Sequence, residues 1–116
     1  MIQLTQNPLP YASHDDTWMV HVFAGRYDND RIALVLLNAE DHDELIAVAS
    51  VNLPAAPCGP HQVFVKDWSE NEGITEWLVA HNIIQPEPQR AVRTGFVVAR
   101  AYDLTAECAG KLARGT

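Results

Sequence analysis

The chain has 116 residues and a formal net charge of −7 at pH 7, from 15 acidic and 8 basic side chains. This length suits one domain with its own hydrophobic core, so we expect a single domain over residues 1–116. An acidic protein repels nucleic-acid phosphates at long range, which argues against direct nucleic-acid binding and favours a partner protein with a basic surface. No apolar run approaches the roughly 18 residues that span a bilayer, and the N-terminus does not resemble a signal peptide. We therefore expect a soluble, cytoplasmic protein with no membrane partner.

The charge is unevenly distributed along the chain. Residues 1–89 carry 13 acids and 3 bases, whereas residues 90–116 carry 2 acids and 5 bases. We expect the arginines of the last quarter to serve folding or contact with a second copy of the chain, so a homodimer is the oligomer to test for. The two cysteines, Cys58 and Cys108, are too few for the disulfide framework of a small secreted protein, and we expect both thiols to be reduced.

Apolar and β-branched runs separated by turn residues predict an antiparallel meander. Tyr27–Asp30 and Glu40–Asp43 have the composition of turns, because Asp and Asn tolerate left-handed dihedral angles. Leu53–Pro60 contains three prolines and one glycine and is predicted to be a loop. The predicted strands are residues 17–25, 31–38, 45–52, 61–66 and 90–102.

The segment after the fourth strand predicts the main helix. Ser69 and Glu72 match a capping box, and Gln85–Pro88 is expected to end the helix. Thr105 is expected to cap a short terminal helix that runs through Ala113. One face of the main helix is predicted to be buried, because apolar residues and a histidine recur at helical spacing: Ile74, Trp77, Leu78 and His81. The predicted fold class is α+β, a mostly antiparallel sheet of about five strands with one main amphipathic helix and a short C-terminal helix.

Acidic residues concentrate at the predicted turn, residues 40–44, and at the corner that opens the main helix, residues 67–76. Helix capping and the favourable interaction of Glu70 with the helix dipole explain most of the pattern at the corner. A band of carboxylates is also able to imitate nucleic-acid phosphates and to occupy the basic site of a nucleic-acid-binding protein. On that interpretation the partner-binding residues are Glu40, Asp41, Asp43, Glu44, Asp67, Trp68, Glu70, Asn71, Glu72 and Glu76.

Other chemistry has weaker support in the sequence. The tetrad Cys58–His61 is similar to a thioredoxin-type redox motif, but it leads into a strand and lacks the second cysteine. Its cysteine and histidine supply only two of the four ligands of a structural zinc site. His14–Asp16 and the acids at 40–44 lack the ligand spacing of a calcium loop. No nucleophile with a base and an orienting group is recognisable, so we expect no catalytic residue, no bound metal and no cofactor.

The segment Phe64–Gly73, followed by Trp77 and Leu78, resembles a stretch found in small uncharacterised proteins of plasmids, phages and integrative elements. In those proteins a strand is followed by the letters S-E-N-E-G and then by a helix. More loosely, the segment resembles the opening motif of ArdA-type antirestriction proteins, with matches at Asp67, Asn71, Gly73 and Trp77. The resemblance implies an origin in a mobile element and a role in interfering with a host nuclease system.

We therefore expect a non-enzymatic inhibitor of a host defence complex, of the anti-CRISPR or antirestriction type. Its acidic surface would meet a basic site that normally holds nucleic acid. One alternative is a small enzyme or small-molecule-binding protein that uses Cys58, His61 and a pocket under the Pro-rich loop. Another is a homo-oligomeric accessory protein that associates through an exposed strand edge at 91–102.

Overall fold

The computed structural model describes residues 1–13 and 15–115, so the predicted cluster at 14–16 lies partly outside the described residues. The fold is α+β: within these ranges, antiparallel sheets of five and three strands are accompanied by two α-helices. The strands are β1 (Ile2–Gln3), β2 (Leu9–Ser13), β3 (Asp16–Arg26), β4 (Ile32–Asn38), β5 (Asp41–Val48), β6 (Gln62–Val65), β7 (Ile84–Thr94) and β8 (Val97–Leu104). The helices are α1 (Ile74–Ala80) and α2 (Ala106–Gly115).

The larger sheet is built around β3, which is 11 residues long. One edge of β3 pairs with β4, and β4 pairs in turn with β5. The other edge pairs with β1 and then β2, with Ile2 opposite Ala24 and Leu9 opposite Val20. Val20 and Val22 point into the core and are fully buried. This order leaves β5 as a free edge of the larger sheet.

The smaller sheet has β8 at its centre, between β6 and β7. Two backbone hydrogen bonds join it to the end of the larger sheet, from Lys66 N to Ala49 O at 2.8 Å and from Val51 N to Phe64 O at 3.0 Å. A single cluster of buried side chains draws on both sheets and both helices. Its largest fully buried members include Leu4, Leu34, Leu36, Ile74, Leu78, Ile83, Ile84 and Leu112.

The predicted last strand, residues 90–102, is wrong as one element, because it is a hairpin of β7 and β8. Thr94 pairs with Val97 across a two-residue loop, and Gly95 has a φ of 61°. A glycine with positive φ at the first position of such a loop matches the twist of the flanking strands. Pro86 and Pro88 lie within β7, at the edge of the sheet where the missing N–H is tolerated.

The end of α1 is also different from the prediction, since the helix stops before the prolines. His81 follows the last helical residue, and Asn82 has a φ of 61°. Asn82 N donates to Val79 O at 3.0 Å and Ile83 N donates to Leu78 O at 2.9 Å. These two bonds form a Schellman motif, so an asparagine in the left-handed conformation ends the helix.

Several predicted local features are confirmed. The Tyr27–Asp30 turn is closed by a hydrogen bond from Asp30 N to Tyr27 O at 2.9 Å. Thr105 caps α2, because its Oγ1 accepts from Cys108 N at 3.3 Å.

The predicted turn at 40–43 is wrong in position: the turn lies at Ala39–Glu40, and residues 41–43 already belong to β5. No helix within the described ranges is long and apolar enough to cross a bilayer.

Candidate protein-binding surface

The predicted acidic turn lies on the exposed start of β5. Asp41, Asp43 and Glu44 belong to the strand, Glu40 precedes it, and all four side chains are exposed. Asn38 organises this hairpin: its Oδ1 accepts from Glu40 N at 2.9 Å, and its Nδ2 donates to Glu44 Oε1 at 2.6 Å. The carboxylates therefore project from a strand edge fixed by hydrogen bonds, which limits the entropy that is lost when a partner binds.

An apolar stretch follows these acids on the same strand. Leu45 is 54% exposed and Val48 is 38% exposed. Leu45 pairs with Leu37 and Val48 pairs with Val35, so both lie on the outer face of the sheet, opposite the face that carries the buried Leu36. We define the β5 surface as Glu40, Asp41, Asp43, Glu44, Leu45 and Val48.

A histidine pair holds the start of β5 against the middle of β3. His21 Nδ1 and His42 Nε2 lie 2.9 Å apart, and the His42 ring makes an edge contact with Phe23 at a centroid distance of 4.9 Å. His21 is buried, and its Nε2 has no hydrogen-bond partner among the described residues. The alternation of side chains along a strand places His21 and Phe23 on one face of β3. The pairing across 21 positions had no local signal.

The corner at 67–76 is built differently from the predicted capping box. Ser69 has a φ of 55° and makes no capping hydrogen bond, and α1 begins only at Ile74. Asp67 caps the helix instead: its Oδ1 accepts from Gly73 N at 2.7 Å and its Oδ2 accepts from Thr75 N at 3.1 Å. A carboxylate at this position satisfies N–H groups that have no partner within the helix.

Two further residues predicted to contact a partner are used inside the molecule. Asn71 is buried at 2% exposure, and its Nδ2 donates to Val48 O at 2.6 Å. Trp68 is half-buried against a small apolar cluster that contains Phe64 and Ala101. Asn71 therefore ties the corner to the end of β5 and does not reach the surface.

The positions that carry the resemblance to antirestriction proteins all help to build this corner. Asp67 caps α1, Asn71 binds β5, and Gly73 adopts a φ of 93° that favours glycine. Trp77 docks α1 on β2, because its Nε1 donates to Pro10 O at 2.8 Å and its ring packs edge-on against Tyr11 at 5.4 Å. These four residues therefore stabilise the strand–turn–helix structure of the corner. The exposed acids of the corner are the side chains that remain accessible to a partner protein.

The acids of the corner have different surroundings. Glu70, Glu72 and Glu76 are all exposed, and Glu70 also forms an ion pair with Lys66, with Nζ to Oε2 at 2.9 Å. The pKa of the Tyr11 hydroxyl is raised, first by burial and then by the negative charges of Glu70 and Asp67. The corner thus carries a negative field.

The two acidic groups lie towards opposite ends of β5. The corner contacts the strand at Val48, about 13 Å along the strand from Glu44 and about 23 Å from Asp41. The predicted continuous acidic band is therefore divided by the apolar stretch at Leu45–Val48. The resulting surface has an apolar centre with carboxylates on both sides, a composition found in protein interfaces.

The residues of the alternative site, Cys58 and His61, lie beside a cavity. A cavity of about 390 Å³ is lined by both residues, beside the loop at 53–60. The Cys58 thiol donates to Gln62 O at 3.4 Å, and burial raises the pKa of this thiol, while the positive charges of Arg31 and Arg90 lower it to a smaller extent. The described part of the chain contains no group of three or more His, Cys, Asp or Glu side chains placed to hold a metal ion.

We expect iodoacetamide to label Cys58 roughly tenfold more slowly in the folded protein than in the urea-unfolded protein at pH 8. Burial raises the pKa of the thiol, so the thiolate fraction is lower in the fold, and the half-buried sulfur is less accessible. Peptide mapping by mass spectrometry separates Cys58 from the buried Cys108, which should react more slowly still. Equal labelling of Cys58 in both states would contradict a protected thiol, and faster labelling in the folded state would identify an activated nucleophile.

The predicted exposed strand edge at 91–102 is wrong for residues 97–102, because β8 is the central strand of the smaller sheet and only residues 91–94 belong to the edge strand β7. The exposed side chains of this region lie on the β7–β8 hairpin. Phe96 lies at its tip and is fully exposed, and Val98 is 41% exposed. Arg93 pairs with Val98 across the hairpin, and Arg93 and Arg100 are both exposed. The hairpin therefore presents an aromatic side chain beside positive charge, in contrast to the acidic β5 surface.

Comparisons with other proteins do not extend this description. No family model, no curated protein sequence and no solved structure matches the chain.

Proposed function

We propose that this protein is a non-enzymatic binding protein that attaches to a partner protein through the β5 surface. The observation that carries the proposal is the combination of four exposed carboxylates, three on the edge strand β5 and one in the turn before it, with the exposed Leu45 and Val48 of the same strand. Exposed apolar side chains contribute binding energy when they are buried, and the surrounding charges select and orient the partner. Glu72 and Glu76 of the corner extend the same negative field.

The partner that fits this surface is a protein with a basic groove. Both ion pairs among the described residues, Lys66–Glu70 and Lys111–Glu107, lie outside the β5 surface, so its carboxylates keep their negative charge for a basic partner. A groove that normally binds nucleic acid has the required charge, and the resemblance of the corner to mobile-element and antirestriction proteins points to a CRISPR–Cas or restriction complex. The protein would then inhibit that complex by occupying its nucleic-acid site.

Charge reversal of the β5 surface is expected to weaken binding to the partner protein strongly. The variant Asp41→Lys/Asp43→Lys/Glu40→Lys should lose at least about tenfold in affinity, because each reversed charge replaces attraction by repulsion. The measurement is a pull-down with the tagged protein from a bacterial lysate that contains CRISPR–Cas and restriction systems. A nuclease-complex subunit should be recovered at low salt and lost at high salt, since salt screens exposed charges.

A matched control separates a specific surface from overall charge. The variant Asp15→Lys/Asp28→Lys/Glu87→Lys changes the net charge by the same amount at exposed positions away from β5. It should retain the partner, which is identified by mass spectrometry and then measured as a purified complex. Equal loss in both variants would reject the β5 surface. If the protein recovers only itself, light scattering of that sample tests the homo-oligomer alternative at the Phe96 hairpin.

A further inference from the structure

Positive charge is concentrated around the cavity beside Cys58, although the protein as a whole is acidic. Residues 1–89 include 3 basic side chains, and two of them, Arg26 and Arg31, line the cavity beside Cys58. His61 lines the same cavity, which has a volume of about 390 Å³. A third guanidinium, that of Arg90, is close enough to act on the Cys58 thiol.

Both lining guanidinium groups are held by neutral carbonyl groups. Arg31 Nη1 donates to Leu53 O at 2.8 Å, and its Nη2 lies 3.4 Å from Pro54 O. Arg26 Nη1 donates to Asp30 O at 3.0 Å. These contacts fix the two side chains without neutralising them, because a carbonyl oxygen carries no formal charge. A guanidinium has five N–H donors, so each arginine retains donors for a ligand.

We propose that this cavity binds a small anionic molecule through a phosphate or carboxylate group held by Arg26 and Arg31. The planar guanidinium matches both oxyanions with paired hydrogen bonds. One carboxylate, that of Asp30, also lines the cavity, so the two arginines outnumber it. His61 supplies an additional ring nitrogen at the rim.

The size and composition of the cavity fit such a ligand. Ligand sites commonly have volumes of about 300–1,000 Å³, and this cavity lies at the lower end of that range. Ile32 and Pro60 provide apolar wall beside the charged groups. The carbonyl contacts of Arg31 attach the Pro-rich loop at 53–60 to the start of β4. A bound anion would bridge the same two segments.

The cavity is separate from the β5 surface. It adjoins the start of β4 at Ile32, whereas the acidic hairpin adjoins the end of β4 at Asn38, roughly 20 Å along the strand. The inference therefore does not rest on the proposed function. Charge reversal on β5 should leave anion binding unchanged, and loss of anion binding should leave partner recovery unchanged.

Titration with inorganic phosphate tests the inference. We expect saturable binding by isothermal calorimetry at constant ionic strength, with sodium chloride as the baseline. Arg26→Ala should weaken binding about tenfold or more, because one charged pair of hydrogen bonds is lost. Arg26→Lys should weaken phosphate binding less, because lysine keeps the positive charge but lacks the paired N–H donors of the guanidinium group. Arg26 is the chosen position because Arg31 also holds the loop.

Arg100→Ala is the matched control, because Arg100 is an exposed arginine on β8 that does not line this cavity. It removes the same charge and should retain phosphate binding. A parallel titration with acetate separates the two anion classes, and saturable binding of either anion that depends on Arg26 supports the site. Binding lost equally in Arg26→Ala and Arg100→Ala would overturn the proposal, as would an absence of binding by both anions.

Cysteine labelling gives a second readout that does not depend on heat of binding. Because Cys58 lies on the cavity wall, a saturating anion should slow its alkylation several-fold at constant ionic strength. Cys108 lies in the core cluster, outside this cavity, and its slow labelling should not change. An equal effect on both cysteines would indicate general stabilisation of the fold and would contradict a site at Cys58.

Discussion

Replacing Leu78 with alanine is expected to lower the free energy of unfolding by about 2–5 kcal/mol. Leu78 is fully buried in the cluster that joins both sheets to both helices. The truncated side chain leaves a cavity as well as a loss of buried apolar area, and the surrounding strands are able to close it only in part. Urea unfolding followed by circular dichroism measures the change, with the slope of the transition checked for constancy.

Leu45→Ala is the matched control for this substitution. The same atoms are removed, but Leu45 is 54% exposed on the outer face of the sheet. The expected change is below about 1 kcal/mol, because much of the side chain is already in water. If the two variants lost the same stability, α1 would not lie against the core as described, and the placement of the corner beside it would also be wrong.

Asp67→Ala is expected to cost about 2 kcal/mol of stability. The substitution removes both oxygens that accept from Gly73 N and Thr75 N, and these N–H groups have no replacement within the helix. Thermal unfolding monitored by circular dichroism measures the loss. Asp67→Asn retains one acceptor oxygen but no charge, and it should fall between the wild type and the alanine variant.

The neighbouring substitution Ser69→Ala distinguishes this cap from the capping box predicted by the sequence. Ser69 makes no capping hydrogen bond, so its replacement should change stability by less than about 0.5 kcal/mol. A larger loss of stability in Ser69→Ala than in Asp67→Ala would support the capping box predicted from the sequence. Neither variant alters the β5 surface, so partner binding should follow the folded fraction alone.

The central strands of the meander were predictable because strands buried on both faces consist of nearly continuous apolar residues. The run at 31–38 is apolar on both sides and forms the interior strand β4, between β3 and β5. The short strands β1 and β2 had no comparable signal, since β1 is two residues long and β2 contains Pro10. Both depend on the long edge of β3 for their pairing.

The helix cap and the last hairpin were mispredicted for local reasons. Asp and Ser are both residue types that commonly cap helices, and the sequence alone does not show whether the side chain of Asp67 or that of Ser69 reaches the free N–H groups. The glycine at 95 interrupts a run that otherwise reads as one strand. A lone glycine inside a strand pattern is compatible with a bulge as well as with a turn, so the pairing of Thr94 with Val97 decides between them.

The sequence predicted which acidic side chains of the candidate site are exposed. It did not predict which neighbouring residues are buried and therefore lie outside the site. Glu40, Asp41 and Asp43 are exposed as expected for acids in a polar segment. The burial of Asn71 and the pairing of His21 with His42 depend on contacts between residues more than 20 positions apart. Such contacts follow from the order of strands in the sheet, which a single sequence does not specify.

Pro86 and Pro88 give the outer strand of the smaller sheet a resistance to aggregation. The outer edge of this strand, which is 11 residues long and pairs with β8 on its other side, offers a template on which another extended chain can assemble. Neither proline has an N–H group, so an incoming strand finds gaps in the donor row of β7. Docking along this side is thereby confined to the section beyond Pro88, which keeps a long open edge compatible with a well-dispersed protein.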